Sequence, residues 1–241
     1  MLSLILPCYN EKDNLAALFE RLDLLVLACN EIEIVLVNNG SNDGSDKVFE
    51  QEILKRNNEI FKIVQVKENK GYGFGILSGL RAAKGNVLSV THADRQTDPM
   101  DALKAYEIYQ KNSDDRLLVK GFRKNRKLTE AVFAYGMGLL ASFVLGVRLT
   151  EINAQPKLFS KKFFELYHQN APNDFSLDLY FLYQAKKNGQ VLDFPVYFSK
   201  RVAGEAKGGS GSSFKVKWKL IKRSFTYIFE LGRRLKTLDI K

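Results

Sequence analysis

Cysteine is scarce in this chain of 241 residues: Cys8 and Cys29 are the only two. Two thiols so placed build no disulfide framework and have no metal-site spacing, so they read as small buried fillers in a reducing compartment. No secretory leader is expected, because the apolar run Met1–Pro7 has no basic region before it and Cys8-Tyr9-Asn10-Glu11 cuts it off. The uncharged stretch Val132–Val147 counts 16 residues, short of the roughly 20 that cross a bilayer, and reads as a buried or interfacial helix. Gly71-Tyr72-Gly73-Phe74-Gly75 is glycine-rich but lacks the G-x-G-x-x-G order, which argues against a dinucleotide-binding dehydrogenase. No internal repeat or long linker divides the chain.

What is present is a core. Apolar residues make up 45% and aromatics 12% of the sequence, enough for one large α/β domain and incompatible with disorder. The net charge of +10 is unevenly spread. Residues 200–241 carry twelve Lys/Arg against three acidic residues, leaving the first 199 residues close to neutral. A basic tail on a neutral body points to a phosphate-bearing partner, and no nucleic-acid-binding module accompanies the charge, so the expected surface is a membrane.

Short apolar runs alternate with helical patterns through the first half. Strands are expected at Leu2–Leu6, Ile32–Val37, Ile60–Val66 and Val87–Val90, with helices at Asn14–Ala28, from Ser45 to Arg56, and at Gly71–Ala83. That alternation predicts a mostly parallel sheet covered by helices on both faces. Functional groups then gather beyond the carboxyl ends of the strands. Polar clusters stand there: Tyr9-Asn10-Glu11, Asn38 to Ser45, Asn69-Lys70-Gly71 and His92 to Gln96. Later elements are a strand at Leu117–Val119, a helix at Phe175–Lys187 and a strand at Val191–Phe198. Gly208-Gly209-Ser210-Gly211-Ser212-Ser213 is a flexible joint. It separates a domain of residues 1–207 from a tail, residues 208–241. In that tail Phe214–Lys236 alternates apolar residues with Lys and Arg, as an interfacial helix does; a core-packing helix with a solvated basic face is the alternative.

Leu6-Pro7-Cys8-Tyr9-Asn10-Glu11 resembles the opening of family-2 glycosyltransferases, which use the GT-A fold. The resemblance continues through Asn38-Asn39-Gly40-Ser41-Asn42-Asp43-Gly44-Ser45, where the family usually has Asp-Asp-Gly-Ser-x-Asp-Gly-Thr/Ser, and through Asn69-Lys70-Gly71. His92-Ala93-Asp94-Arg95-Gln96-Thr97-Asp98-Pro99 is similar to the Asp-Ala-Asp-x-Gln-x-x-Pro block of the dolichol-phosphate mannosyltransferase branch. Gly121-Phe122-Arg123 and Arg201-Val202-Ala203-Gly204-Glu205-Ala206-Lys207 resemble that branch's Gly-Ser-Arg and Arg-x-x-Gly-x-Ser-Lys signatures.

The resemblance implies an inverting transfer of a sugar from a UDP- or GDP-linked donor, with Mg²⁺ or Mn²⁺, at the cytoplasmic face of the membrane. Pro7, Tyr9, Glu11 and Asn39 would line the nucleotide pocket; Asn39 replaces a usual Asp, so base preference does not carry over. Asp43 either contacts ribose or caps the following helix. Lys70 reaches a phosphate or is solvated, and Gly71 lets the backbone approach the donor. Asp94 and Gln96 would hold the metal. His92, where the branch has its first Asp, shapes the pocket, donates a hydrogen bond to the donor, or ligates Mn²⁺. The acceptor is expected to be a polyprenyl phosphate held by Arg123, Arg201, Arg126 and Lys207. The alternatives are a saccharide hydroxyl in cell-surface polysaccharide assembly, with Asp178 as general base, and a nucleotide-sugar-binding protein without catalysis. If not a base, Asp178 is an exposed helix residue.

Overall fold

The structure is a computed structural model that describes residues 1–56, 59–112, 114–125, 128–199 and 214–239. Seven strands form one sheet in the order β3-β2-β1-β4-β6-β5-β7. The strands are β1 (Leu2–Cys8), β2 (Ile32–Asn39), β3 (Phe61–Val66), β4 (Val87–Val90), β5 (Leu117–Lys124), β6 (Lys157–Ser160) and β7 (Gln190–Tyr197). β1, β2, β3 and β4 are parallel, as are β5 and β7, whereas β6 runs antiparallel to both its neighbours. The first four strands read as continuous apolar runs because both faces of a parallel sheet are covered.

One face carries α1 (Lys12–Ala28), α2 (Ser45–Arg56) and α4 (Met100–Asn112), through Leu15, Phe19, Phe49 and Ala105 among others. The other face carries α3 (Tyr72–Ala82), α6 (Lys161–Tyr167) and α7 (Leu177–Asn188), together with contacts from α5 (Leu128–Leu145) and α8 (Phe214–Asp239). Gly79 lets α3 lie directly on the sheet: a Cβ there would sit 2.6 Å from the Ile5 side chain and 2.7 Å from that of Val37.

The sequence expectation misses β6, α4 and α6, and β6 is the strand that breaks the parallel order. It has only four residues and opens on a lysine, so neither length nor apolar pattern marks it as buried. The stretch expected as a buried or interfacial helix is α5, in which only Gly138 and Ala141 are buried. Phe143 is 88% exposed. By length and composition α5 could also cross a membrane. In the structure it packs beside α8, where a Cβ on Gly232 would approach the Val144 side chain to 2.9 Å. The carboxyl half of α8 buries Ile228, Leu231 and Leu235 in the same core cluster as α3 and α7. The expected joint at residues 208–213 lies outside the described residues.

Arg56 joins α2 to α1: it meets Asp23 through two 2.7 Å hydrogen bonds and Glu52 through a third of 2.7 Å. Burial alone would raise the Glu52 carboxyl, but hydrogen bonds from Lys55 and Arg56 outweigh it and hold the group below its usual 4.5. A carboxylate depressed in the folded state stabilises above its unfolded pKa, and that contribution is lost as pH falls through the folded value. Arg56→Met is therefore expected to lower the melting temperature at pH 7 by a few degrees, with the gap to wild type closing toward pH 3. A gap that stays constant across that range would remove Glu52 as the cause.

Candidate active site

The polar loops after the first four strands meet at one edge of the sheet, and hydrogen bonds stitch them together. The Asn10 backbone N–H donates to Ser41 Oγ at 3.0 Å, its side-chain amide donates to Asn42 Oδ1 at 2.8 Å, and Asn42 N–H returns a bond of 2.9 Å. These bonds tie the β1 and β2 loops. The next tie is made by Asn39, whose amide donates to the Gly71 carbonyl at 3.1 Å, joining β2 to the β3 loop. Ser199 N–H donates to the Gln96 carbonyl at 2.8 Å, joining the β4 loop to the segment after β7.

Most of the expected donor residues fall on this edge. Pro7 and Tyr9 are half-buried at the end of β1. Glu11 accepts from the Asn14 amide at 2.6 Å. Asp43 commits one oxygen to Ser45 N–H and Oγ, at 3.0 and 2.6 Å, and the other to Lys12 N–H at 3.1 Å. Those bonds outweigh burial and hold its carboxyl below the usual value. The bonds to Ser45 close a turn leading into α2. Lys70 is exposed, with its ammonium 5.4 Å from the centre of the Phe74 ring. Gly71 has φ +114°, a conformation open essentially to glycine alone.

Asp94 is half-buried just beyond β4, and its Oδ1 accepts from Gln96 N–H at 3.1 Å. The Gln96 amide nitrogen donates to the Ser199 carbonyl at 3.4 Å. Among the described residues no group of three or more His, Cys, Asp or Glu side chains could hold a metal alone. Asp94 and Gln96 do fit a hard divalent cation of the kind that takes one or two protein oxygens and completes its shell with substrate phosphates and water. Burial pushes the His92 imidazole below its usual value, against the pull of Asp94 and Asp178 and with help from Lys157 and Arg123.

Toward β5 the edge becomes a row of ion pairs. Arg123 Nε donates to Glu151 at 2.7 Å, and its guanidinium lies 5.7 Å from the centre of the Phe198 ring. The other expected acceptor cations, Arg126, Arg201 and Lys207, lie outside the described residues. Asp178 is not an exposed helix residue: it is buried, and its Oδ1 accepts from Lys157 Nζ at 2.7 Å and from the Gln155 amide at 3.0 Å. Its Oδ2 accepts from the Tyr72 hydroxyl at 3.0 Å. Sequence reasoning passed over Lys157, Gln155 and Tyr72. The signal was a lysine inside the apolar run Lys157-Leu158-Phe159, since a lysine seldom enters a core without a counter-charge.

The fold has counterparts in solved proteins. A mannosyltransferase of Pyrobaculum calidifontis, solved with GDP-Man and Mn²⁺, superposes with a TM-score of 0.63 at 16% identity, covering 94% of this chain and 69% of its own. Glucosyl-3-phosphoglycerate synthase of Mycobacterium tuberculosis, solved with UDP, gives 0.67 at 14% identity, covering 96% and 80%. Both likenesses establish the GT-A fold. Among curated proteins, the dodecaprenyl-phosphate galacturonate synthase of Rhizobium johnstonii is 26% identical over 162 residues, which are 66% of this chain and 47% of that protein. The dolichol-phosphate mannosyltransferase of Pyrococcus furiosus is 32% identical over 112 residues, 46% of this chain and 31% of its own length. The matched region thus spans less than half of either relative. The pattern described as Glycosyl transferase family 2 matches residues 3–177, from β1 through the start of α7 and so across the loops after β1, β2, β3 and β4: the chain belongs to that family.

Proposed function

We propose that this protein transfers a sugar from a UDP- or GDP-linked donor to a polyprenyl phosphate at the inner face of the cytoplasmic membrane. The observation that carries this reading is the gathering of the loops after four parallel strands at one edge of the sheet, Asp94 on the fourth of them, with Arg123 near the end of β5. The relatives' names supply the acceptor class: they include dodecaprenyl-phosphate, undecaprenyl-phosphate and dolichol-phosphate sugar transferases.

In the reaction the bond from the sugar's anomeric carbon to the donor diphosphate breaks and the nucleoside diphosphate leaves with the electron pair. A bond forms to an oxygen of the acceptor phosphate. Attack from the face opposite the leaving group inverts the anomeric centre. A divalent cation, Mg²⁺ or Mn²⁺, supplies charge stabilisation for the leaving diphosphate. Asp94 and Gln96 would hold it, and His92 would shape the pocket beside them. Tyr9 offers a flat face to the base. The acceptor phosphate is already anionic, so no proton has to be removed, and Arg123 offers a planar fork to hold it. An acceptor that needs no base also suits a site whose buried carboxylate, Asp178, already accepts from a lysine.

The membrane surface is met by α5 and α8. Val132, Tyr135, Leu139 and Phe143 of α5 and Trp218, Phe225 and Phe229 of α8 are exposed apolar residues, and Lys222, Arg233 and Arg234 of α8 are exposed cations. Apolar insertion combined with about 1 kcal/mol per cation toward anionic lipid supports peripheral attachment.

The test uses anionic vesicles doped with a short polyprenyl phosphate, radiolabelled UDP- and GDP-sugars, and Mn²⁺ or Mg²⁺. Label is expected in the organic extract with one donor, and protein in the vesicle pellet. Label that stays aqueous with every donor would sink the lipid acceptor and favour a saccharide hydroxyl. Nucleotide binding without turnover on any acceptor would favour a binding protein.

A further inference from the structure

The antiparallel strand β6 carries a buried lysine to the floor of the site. Lys157 pairs in register with Val90 on β4, two residues before His92, and with Lys120 on β5. An unpaired ammonium in that position would be strongly unfavourable, and Asp178 from α7 supplies its counter-charge at 2.7 Å. Lys157 also donates to the Ala154 carbonyl at 3.0 Å. The Asp178 carboxylate passes the connection on to Tyr72, the first residue of α3, which immediately follows Gly71.

The start of α3 is held to the segment before α7 in three further ways. The Tyr72 ring stacks on Phe175 with centroids 4.9 Å apart and planes 4° from parallel. Phe74 N–H donates to the Asn173 carbonyl at 2.9 Å. Gly73 is so close to that segment that a Cβ would fall 2.6 to 2.7 Å from Asp174, Asn173 and Pro172 backbone atoms. The first turn of α3 is thus held to residues 172–178, and the Lys157–Asp178 pair adds a buried polar tie from that unit to β6, beside the apolar packing of α3 and α7 on the sheet.

We infer that Lys157, Gln155 and Asp178 are positioning residues that hold Tyr72 and, through it, the donor loop Asn69–Gly71, and that Asp178 is not a general base. A base must present a free oxygen to the hydroxyl it deprotonates, whereas both Asp178 oxygens already accept hydrogen bonds inside a buried network. Burial pushes the Lys157 ammonium below its usual value while Asp178 draws it back up, consistent with a lysine that depends on this one carboxylate. This inference rests on the donor-site reading above.

Two readouts separate the possibilities: binding of UDP and GDP with Mn²⁺, measured by titration, and donor turnover. Asp178→Asn leaves the ammonium without a counter-charge and is expected to weaken nucleotide binding on the order of tenfold, as small displacements of a positioned group do. Adding Lys157→Met removes the stranded charge while the carboxamide at position 178 still accepts from Tyr72. The double variant is expected to recover binding and turnover to within about threefold of wild type, the non-additivity expected of directly paired groups. A base cannot be rescued in this way: wild-type nucleotide affinity in Asp178→Asn, with turnover lost equally in the single and double variants, would overturn the inference. Should Asp178→Asn fail to fold, Tyr72→Phe keeps the stack on Phe175 and removes only the hydroxyl. Its nucleotide affinity is expected to fall several-fold, and an unchanged value would overturn the inference as well. Wild-type protein that binds neither nucleotide would overturn the donor reading itself, whereas wild-type binding with unmoved variants would overturn only the lock.

Discussion

Asp94→Ala is expected to lower donor turnover by about a thousandfold while leaving the protein folded. The reasoning starts from position. Asp94 stands two residues beyond the pocket histidine on the β4 loop, half-buried, and its Oδ1 accepts from Gln96 N–H at 3.1 Å. Losing that bond costs on the order of 1 kcal/mol of stability, too little to unfold a domain of this size. Losing the carboxylate removes the only anionic oxygen proposed for the cation on the protein side, and the leaving diphosphate then departs without its charge being offset. Asp94→Asn separates the two effects, because its amide oxygen still accepts from Gln96 N–H but carries no charge. It is expected to melt like wild type and to turn over almost as slowly as Asp94→Ala. A chelator should take wild type down to the same residual rate and leave both variants unmoved. Wild-type turnover in Asp94→Asn, or chelator-insensitive activity in the native protein, would remove Asp94 from the chemistry.

The parts of this fold and site that could be read from the sequence are those where one local pattern decides the structure. Ile32–Asn39 is buried along its whole length because a central parallel strand is covered on both faces, and its run is apolar but for Glu33 until the two asparagines that end it. Its polar loop could therefore be placed at the sheet's edge without any structure. The misses have a common physical cause. β6 is four residues long and starts with Lys157, so its burial depends on a carboxylate contributed by α7, 21 positions on. No periodicity records such a partner. The same pairing turned Asp178 from an expected exposed residue into the centre of a buried network. Apolar composition alone likewise could not say which way α5 faces: 18 residues with one acidic group suit a core as well as an interface. The choice is made by α8, which packs along only one side of α5 and leaves Phe143 and its neighbours uncovered.

Gly71→Ala is expected to damage the donor site more than any other single methyl group placed on that loop. At φ +114° and ψ 168° the backbone occupies a region that L side chains reach only with strain, of about 1–3 kcal/mol. The added Cβ would also lie 2.8 Å from the Asn173 carbonyl oxygen, a backbone atom that cannot rotate away. Relief requires the loop to shift, and the loop's fastenings run through Gly71 itself. Its N–H donates to Asn69 Oδ1 at 2.9 Å and its carbonyl accepts from the Asn39 amide at 3.1 Å. A shift therefore loosens the tie between β2 and β3 at the point where the donor is expected to bind. The melting temperature should fall by roughly 3–10 °C, given about 2–4 °C per kcal/mol for a chain of this length, and the donor KM should rise about tenfold. Gly136 is the control, since a Cβ there meets nothing within 4 Å on an exposed turn of α5. Gly136→Ala adds the same methyl group, improves helix propensity, and is expected to leave the melting temperature unchanged or slightly raised. A Gly71→Ala protein with wild-type melting and wild-type donor KM would show that the loop can move without consequence, and would take the donor site away from this edge of the sheet.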